Sequence, residues 1–227
     1  MDEKDAARSN SSNSSNSISS AVIHRLPRYY RLLNEMKRNG KSRTSSRELA
    51  AMMGLTASQI RQDFNCFGGF GQQGYGYNVD TLLEGLWQIL GLDRQISAIL
   101  IGVGRLGTLV SSYITDGRFG YKLIGLFDNN PALQGKVVDG LAIQNDQALE
   151  TFCREHQPEV AVLCVPKSSA AGLCKQLTQY GIKGFWNFSH YDIALDYPDV
   201  IVENVHLSDS LMSLHFLMYR NQESDSL

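Results

Sequence analysis

Between Ala21 and Asn39 apolar side chains fall at helical spacing: Val22, Leu26, Tyr29 or Tyr30, Leu33 and Met36. Asn39-Gly40 supplies the stop, and Pro27 limits how the first turn is drawn. Two shorter helical segments follow, each opened by a capping signature. Ser45-Ser-Arg-Glu48 precedes Leu49, Ala50 and Met53, and Gly54 closes that segment. Thr56-Ala-Ser-Gln59 opens SQIRQDFNCF, with Ile60, Phe64 and Phe67 on its core side. Two short helices joined by a tight glycine-containing turn are a helix-turn-helix pattern. Gly68 to Tyr77, rich in glycine and aromatic residues, fits a hairpin wing. Asn78 then caps a linking helix to Gly91, with Val79, Leu82, Leu83, Leu86, Ile89 and Leu90 apolar.

The pattern changes at Ile96. Ile96, Ala98, Ile99, Leu100, Ile101 and Val103 form a short run rich in branched side chains, as in a strand buried on both faces of a parallel sheet. A helical pattern follows through Leu106, Leu109, Val110, Tyr113 and Ile114. Further strands are predicted over 122–127, 159–165, 183–188 and 200–205, and helices over 146–155 and 168–180. Strands alternating with helices imply a doubly wound parallel sheet with right-handed crossovers. The chain closes with a helix, Ser208 to Tyr219, apolar over much of its circumference and in need of a partner surface. The predicted fold is α/β. A disordered serine- and asparagine-rich tail covers residues 1–20, and a winged helix-turn-helix domain covers 21–79. A Rossmann-like domain covers 80–205, and a C-terminal dimerisation helix and tail cover 206–227.

The junction of the first buried strand with its helix carries chemistry. Gly102-Val103-Gly104-Arg105-Leu106-Gly107 is a G-x-G-x-x-G. Its first glycine permits a tight turn, its second lets the backbone approach a pyrophosphate, and its third lets helix pack on strand. The helix's free N–H groups and positive dipole end then face the phosphates. Asp128 ends the next strand, 21 residues beyond Gly107, where a carboxylate that binds an adenosine ribose is expected. Its alternative role is to start the turn Asp128-Asn-Asn-Pro131. Ligands sit at the C-terminal ends of such strands, here Gly102, Asp128, Val165-Pro166 and Asn187-Phe188-Ser189.

Charge is unevenly placed. Residues 21–77 carry nine Lys/Arg against three Asp/Glu, whereas 78–227 carry ten against seventeen. A basic N-terminal module on an acidic body points to contact with a polyanion. In a helix-turn-helix the second helix enters the major groove. Its polar residues are Ser58, Gln59, Arg61, Gln62 and Asn65, and Ser46 opens the preceding helix. Arg and Gln suit guanine and adenine edges. The competing interpretation is a small helical bundle used for dimer contacts. No run of eighteen apolar residues occurs and the N-terminus lacks a signal-peptide core, so a cytoplasmic protein with no membrane contact is expected. Cys66, Cys153, Cys164 and Cys174 show no C-x-x-C spacing, so no metal site and no disulfide framework is expected.

The strings RLPRYYRLL, TSSRELAAMMGLTASQIRQDF, FGGFGQQGYGYNV, ILIGVGRLG, FDNNP, VPKSSA, GFWNF and VENVHLSDSL, from Ile18 to about Tyr219, resemble the Rex family of redox-sensing transcriptional repressors. The resemblance implies a homodimer with an N-terminal winged helix and a Rossmann domain binding NADH or NAD. It implies that the C-terminal helix is swapped between subunits and that double-stranded operator DNA is released when NADH rises. It gives the dinucleotide to Gly102, Val103, Gly104, Arg105, Leu106, Gly107 and Asp128, with Val165, Pro166, Asn187 and Phe188 nearer the nicotinamide. Arg31 and Tyr113 match positions that switch partners between states. Their usual aspartate is replaced by His206, beside Leu207, which implies a differently wired switch. Gln62 replaces a usual lysine and Gln72-Gln73 replaces basic wing residues, so fewer cationic DNA contacts are implied.

Four alternatives compete with the repressor. A dinucleotide-binding paralogue with weak or altered DNA recognition keeps the second domain and loses the first one's function. An NAD-dependent oxidoreductase needs an acid–base group beside the nicotinamide, for which His190, Lys167 and His206 are loose candidates, and no substrate domain follows Val205. A coenzyme A-binding Rossmann protein leaves the helix-turn-helix unexplained, and a thiol sensor on Cys66 lacks a resolving cysteine nearby in sequence.

Overall fold

The computed structural model describes residues 18–68, 76–117 and 119–224, with side chains to residue 220. Most of the expected disordered tail, and most of the wing including Gln72 and Gln73, lie outside the described residues. The chain splits into two compact units, Met1–Asp93 and Arg94–Leu227.

In the first unit, helix α1 (Ser20–Arg38) is capped by Ser19 and buries Val22, Leu26, Tyr29, Leu33 and Met36. Pro27 lies inside this helix rather than restricting its start, at the loss of one backbone hydrogen bond. Strand β1 (Arg43–Thr44) leads to α2 (Ser46–Met53) and α3 (Ala57–Asn65). β1 pairs antiparallel with β2 (Tyr77–Asn78), the far end of the expected wing. Thr56 and Gln59 complete a full capping box, whereas Ser45 caps Glu48 N–H without return. The Glu48 side chain goes instead to Lys41 and to the Thr44 hydroxyl. That ammonium contact, helped by Thr44, outweighs burial and holds the Glu48 carboxyl below the usual carboxylate range. Helix α4 (Val79–Ile89), capped by Asn78, closes the unit. Its Val79, Leu82, Leu83 and Leu86 join the core of α1 to α3, with Phe64 between the rings of Tyr29 and Tyr77. The boundary therefore falls after Asp93 and not at residue 79. The apolar stripe of α4 identifies a buried helix without saying which core it enters.

The second unit alternates as expected. Its elements are β3 (Ile96–Ile101), α5 (Arg105–Thr115), β4 (Tyr121–Phe127), β5 (Val137–Val138), β6 (Leu141–Gln144), α6 (Leu149–His156) and β7 (Val160–Leu163). Then come α7 (Lys167–Gln179), β8 (Gly184–Asn187), α8 (Ile193–Asp196), β9 (Ile201–Asn204) and α9 (Leu207–Ser224). The sheet order is β5-β6-β4-β3-β7-β8-β9. All neighbours are parallel except β5, a two-residue edge strand too short to show any periodicity. Ile99 and Ile101 face one core with Phe152, Cys174 and Leu177. Leu100 faces the other with Val110 and Ile114, so helices cover both faces. The chain leaves β3 toward β4 and later returns to β7 on its other side. The switch point of the sheet, where such folds bind ligands, lies between β3 and β7.

Candidate functional site

The helix-turn-helix presents a polar face. Ile60, Asp63 and Phe64 of α3 are buried, while Ser58, Gln59, Arg61, Gln62 and Asn65 are exposed and Ser46 is half-buried. The Arg61 guanidinium donates to the Ser46 hydroxyl at 3.1 Å and to the Ser58 hydroxyl at 2.9 Å, tying together the starts of α2 and α3. Gln59 uses its carbonyl oxygen on the Thr56 backbone N–H, which leaves its amide hydrogens outward. Behind this face lies a group that the sequence pattern did not single out. Asp63 accepts from Arg25 and from the Tyr29 hydroxyl, which fixes α3 against α1. The signal was an acid at the core spacing 60, 63, 64.

In the second unit the glycine turn forms as the motif requires. Gly102 has φ +92°, and a Cβ there would stand 2.5 Å from the Cys164 carbonyl oxygen. A Cβ on Gly107 would stand 1.9 Å from the Gly102 oxygen, so helix and strand meet without room for a methyl group. Gly104, the N-cap of α5, has open space where a Cβ would point. Arg105 and Leu106 are exposed on the first turn, and Val103 is buried. The Asp128 carboxylate closes the crevice, with Oδ2 accepting from Val103 N–H at 2.7 Å and Oδ1 from Asn130 N–H at 2.8 Å. The carboxylate starts its turn and fastens the glycine loop at once.

Across the switch point, Val165 is half-buried and Pro166, the N-cap of α7, is exposed. Phe188 packs edge-on to Trp186 at 4.9 Å between centroids, and Trp186 lies 6.5 Å from Tyr113, which stacks on Phe119. Asn187 differs from expectation. It is fully buried and spends its side chain on the protein, donating to the Tyr191 carbonyl and to Asn204 Oδ1 and accepting from Ser189. His206 stacks on His190, with 4.7 Å between ring centroids. Leu207 is 60% exposed, and Arg31 is exposed on α1 of the first unit. Burial pushes the Cys164 and Cys174 thiols up to about 12, far from thiolate reactivity, while Cys66 is exposed at the end of α3. Among the described residues no group of three or more His, Cys, Asp or Glu could hold a metal ion.

Comparison with known proteins decides the family. A family model described as "Putative DNA-binding protein N-terminus" matches residues 17–65, and one described as "CoA binding domain" matches 93–191. A redox-sensing transcriptional repressor Rex of Clostridium perfringens (strain SM101 / Type A) is 48% identical over 205 residues, covering 90% of this chain and 96% of the relative. The chain belongs to the Rex family. A Rex repressor of Thermoanaerobacter sp. (strain X514) is 47% identical, over 88% of each chain. The crystal structure of RSP, a Rex-family repressor, superposes with a TM-score of 0.85 at 43% identity, covering 92% of this chain and 99% of that one. RSP in complex with beta-NAD+ and operator DNA gives 0.84 at 44% identity, over 92% and 96%. RSP in complex with beta-NADH gives 0.85 at 42% identity, over 92% and 98%. The "CoA binding domain" match falls on the Rossmann-type part alone, whereas the Rex relatives span both units.

Proposed function

We propose that this chain is a transcriptional repressor that binds operator DNA through its first unit and NADH or NAD through its second, and that NADH releases the DNA. The observation that carries this reading is the joining, in one chain, of two built sites. One is an outward polar helix face organised by Arg61, and the other is a glycine turn open over the start of α5. The Rex structures with beta-NAD+ and operator DNA, and with beta-NADH, support it. Ser46, Ser58, Gln59, Arg61, Gln62 and Asn65 contact the DNA, on a domain that extends through α4 to residue 93.

The crevice fits a dinucleotide. The space over Gly104 admits a pyrophosphate against the N–H groups of Arg105, Leu106 and Gly107, and Asp128 keeps lone pairs for ribose hydroxyls. Val165, Pro166 and Phe188 stand at the nicotinamide side. NADH and NAD differ in the charge of that ring, so residues beside it can give the two forms different affinities for the two protein states. Arg31 in the first unit and Tyr113, His206 and Leu207 in the second are the residues that answer to cofactor state, in a homodimer whose C-terminal helices are exchanged. Work on operator DNA places the protein in the cytoplasm. Among the described residues no helix is long and apolar enough to cross a membrane.

The test is operator binding by the purified protein, titrated separately with NADH and NAD. NADH should weaken binding at least tenfold at concentrations where NAD leaves it in place. Equal effects of the two, or no operator binding at all, overturn the proposal. A second reading, a dinucleotide-binding member with weakened DNA contact, is favoured by the neutral Gln62 on the exposed face. A salt dependence of binding as steep as that of relatives with lysine there excludes it.

A further inference from the structure

Asn187 ends β8 at the side of the sheet where the dinucleotide crevice opens, and it is fully buried. A carboxamide has two donor hydrogens and two acceptor lone pairs. All four are engaged. Nδ2 donates to the Tyr191 carbonyl and to Asn204 Oδ1, both at 2.8 Å. Oδ1 accepts from Ser189 N–H at 3.0 Å and from the Ser189 hydroxyl at 2.6 Å. The Asn187 backbone carbonyl also accepts from Val205 N–H at 2.9 Å. No capacity is left for a ligand.

Those bonds join two segments far apart in sequence. One is the loop Phe188–Tyr191, and the other is Asn204–Val205, which ends β9 and leads to α9. His190 within the loop has φ +58°, a left-handed conformation that a non-glycine residue holds only when its surroundings impose it. Held so, its ring stacks on His206 at 4.7 Å and 22°. His206 faces Asp209 of α9 through Nδ1 at 3.4 Å, and its Nε2 is buried without a partner among the described residues. The loop cannot shift without moving the start of α9 or breaking this set of bonds.

We infer that Asn187 is a positioning residue, not a cofactor ligand, and that it couples the loop beside the dinucleotide crevice to the start of the C-terminal helix. This rests on the proposed NADH response and names the joint that transmits it. Asn204 gives the cleanest handle, because it is exposed and supplies one strut. Asn204→Ala removes the acceptor, whereas Asn204→Asp keeps an oxygen in its place.

The experiment measures three quantities in each variant: NADH affinity by fluorescence, operator affinity without NADH, and the factor by which saturating NADH weakens operator binding. Asn204→Ala should leave the two affinities within about threefold and reduce the release factor at least tenfold, and Asn204→Asp should restore it. A release factor unchanged in Asn204→Ala, or a matching loss in both variants, overturns the inference. Amide hydrogen exchange on the ligand-free full-length protein separates this from failure of the NADH response itself. Exchange should rise together at Ser189 and Val205 in Asn204→Ala. A rise at Ser189 with Val205 unchanged refutes the coupling even where the parent shows no release by NADH.

Discussion

Arg25 of α1 grips Asp63 of α3 with two nitrogens, Nε at 2.7 Å from Oδ2 and Nη2 at 2.8 Å from Oδ1. The Tyr29 hydroxyl donates to the same carboxylate at 2.6 Å, and Asp63 is 3% exposed. Breaking a buried pair of this kind on one side leaves an uncompensated charge and costs about 3–5 kcal/mol. Arg25→Ala should therefore destabilise the first unit more than Asp63→Asn, which removes the charge along with the pairing. Thermal unfolding followed by circular dichroism checks the order, and equal losses would contradict it.

The same contact sets a pH dependence. Burial alone would raise the Asp63 pKa, but the bonds from Arg25 and Tyr29 prevail and hold it below its ordinary value of 3.8. A depressed carboxylate pKa contributes stability above the unfolded value, and that contribution disappears as pH falls through the folded one. Tyr29, pushed upward by burial and by Asp63, has the opposite sign: its contribution to stability is full below its ordinary value of 10 and is lost as pH rises from there through the higher folded value. The stability difference between the parent and Asp63→Asn should be constant from pH 5 to 8 and shrink below about pH 4. A difference that persists unchanged to pH 2 would show that the carboxylate's charge has no part in it.

On the outer face of the same helix, Arg61→Ala should cost about 1–3 kcal/mol on the specific operator and less on random DNA. The arginine is held by Ser46 and Ser58, so under the proposed function it would meet a base edge already oriented. Mobility-shift titrations on both DNAs decide the matter, since equal losses assign Arg61 to phosphate contact.

Much of this was readable from the chain alone. The caps at Thr56 and Asn78, the strand ending at Gly102 and the alternation after it rest on local chemistry that does not depend on partners. What escaped depends on tertiary pairing. The spacing 60, 63, 64 puts Asp63 on the core side of its helix, unlike the solvent-facing Gln62, but only the fold brings Arg25 against it from 38 residues away. Asn187 stood at the expected strand end, but only the fold shows Asn204 beside it and its amide already taken. The stripe of α4 marked a buried face without naming its core.

Asp128 supports a further test. Its carboxylate both fastens Val103 and faces the space where a ribose would lie, so a 2′-phosphate there meets a fixed negative charge. The parent should bind NADH well and NADPH at least tenfold more weakly. Asp128→Ala should lose NADH affinity without gaining NADPH tightly, because the glycine loop loses its tether as well. Fluorescence titration with both cofactors reads the outcome, and tight NADPH binding by the parent would count against the assignment.

The last expectation concerns α9. Leu211, Leu214 and Met218 repeat along one side, and Met212, Phe216 and Tyr219 along another, each between 55% and 67% exposed. A helix with a single apolar stripe rests on one surface, whereas two stripes call for contact on two sides. Covering such Leu, Met and Phe side chains contributes on the order of 1 kcal/mol each, against the entropy lost on association. A helix exchanged between two copies of the chain, lying between its own sheet and its partner's, supplies both contacts. Truncation after Ser208 should therefore convert a dimer to a monomer, and Leu211→Asp with Phe216→Asp should do so in the full-length chain. Sedimentation velocity measures the mass directly. A truncated chain that still sediments as a dimer would place the interface elsewhere and leave the two stripes of α9 without this explanation.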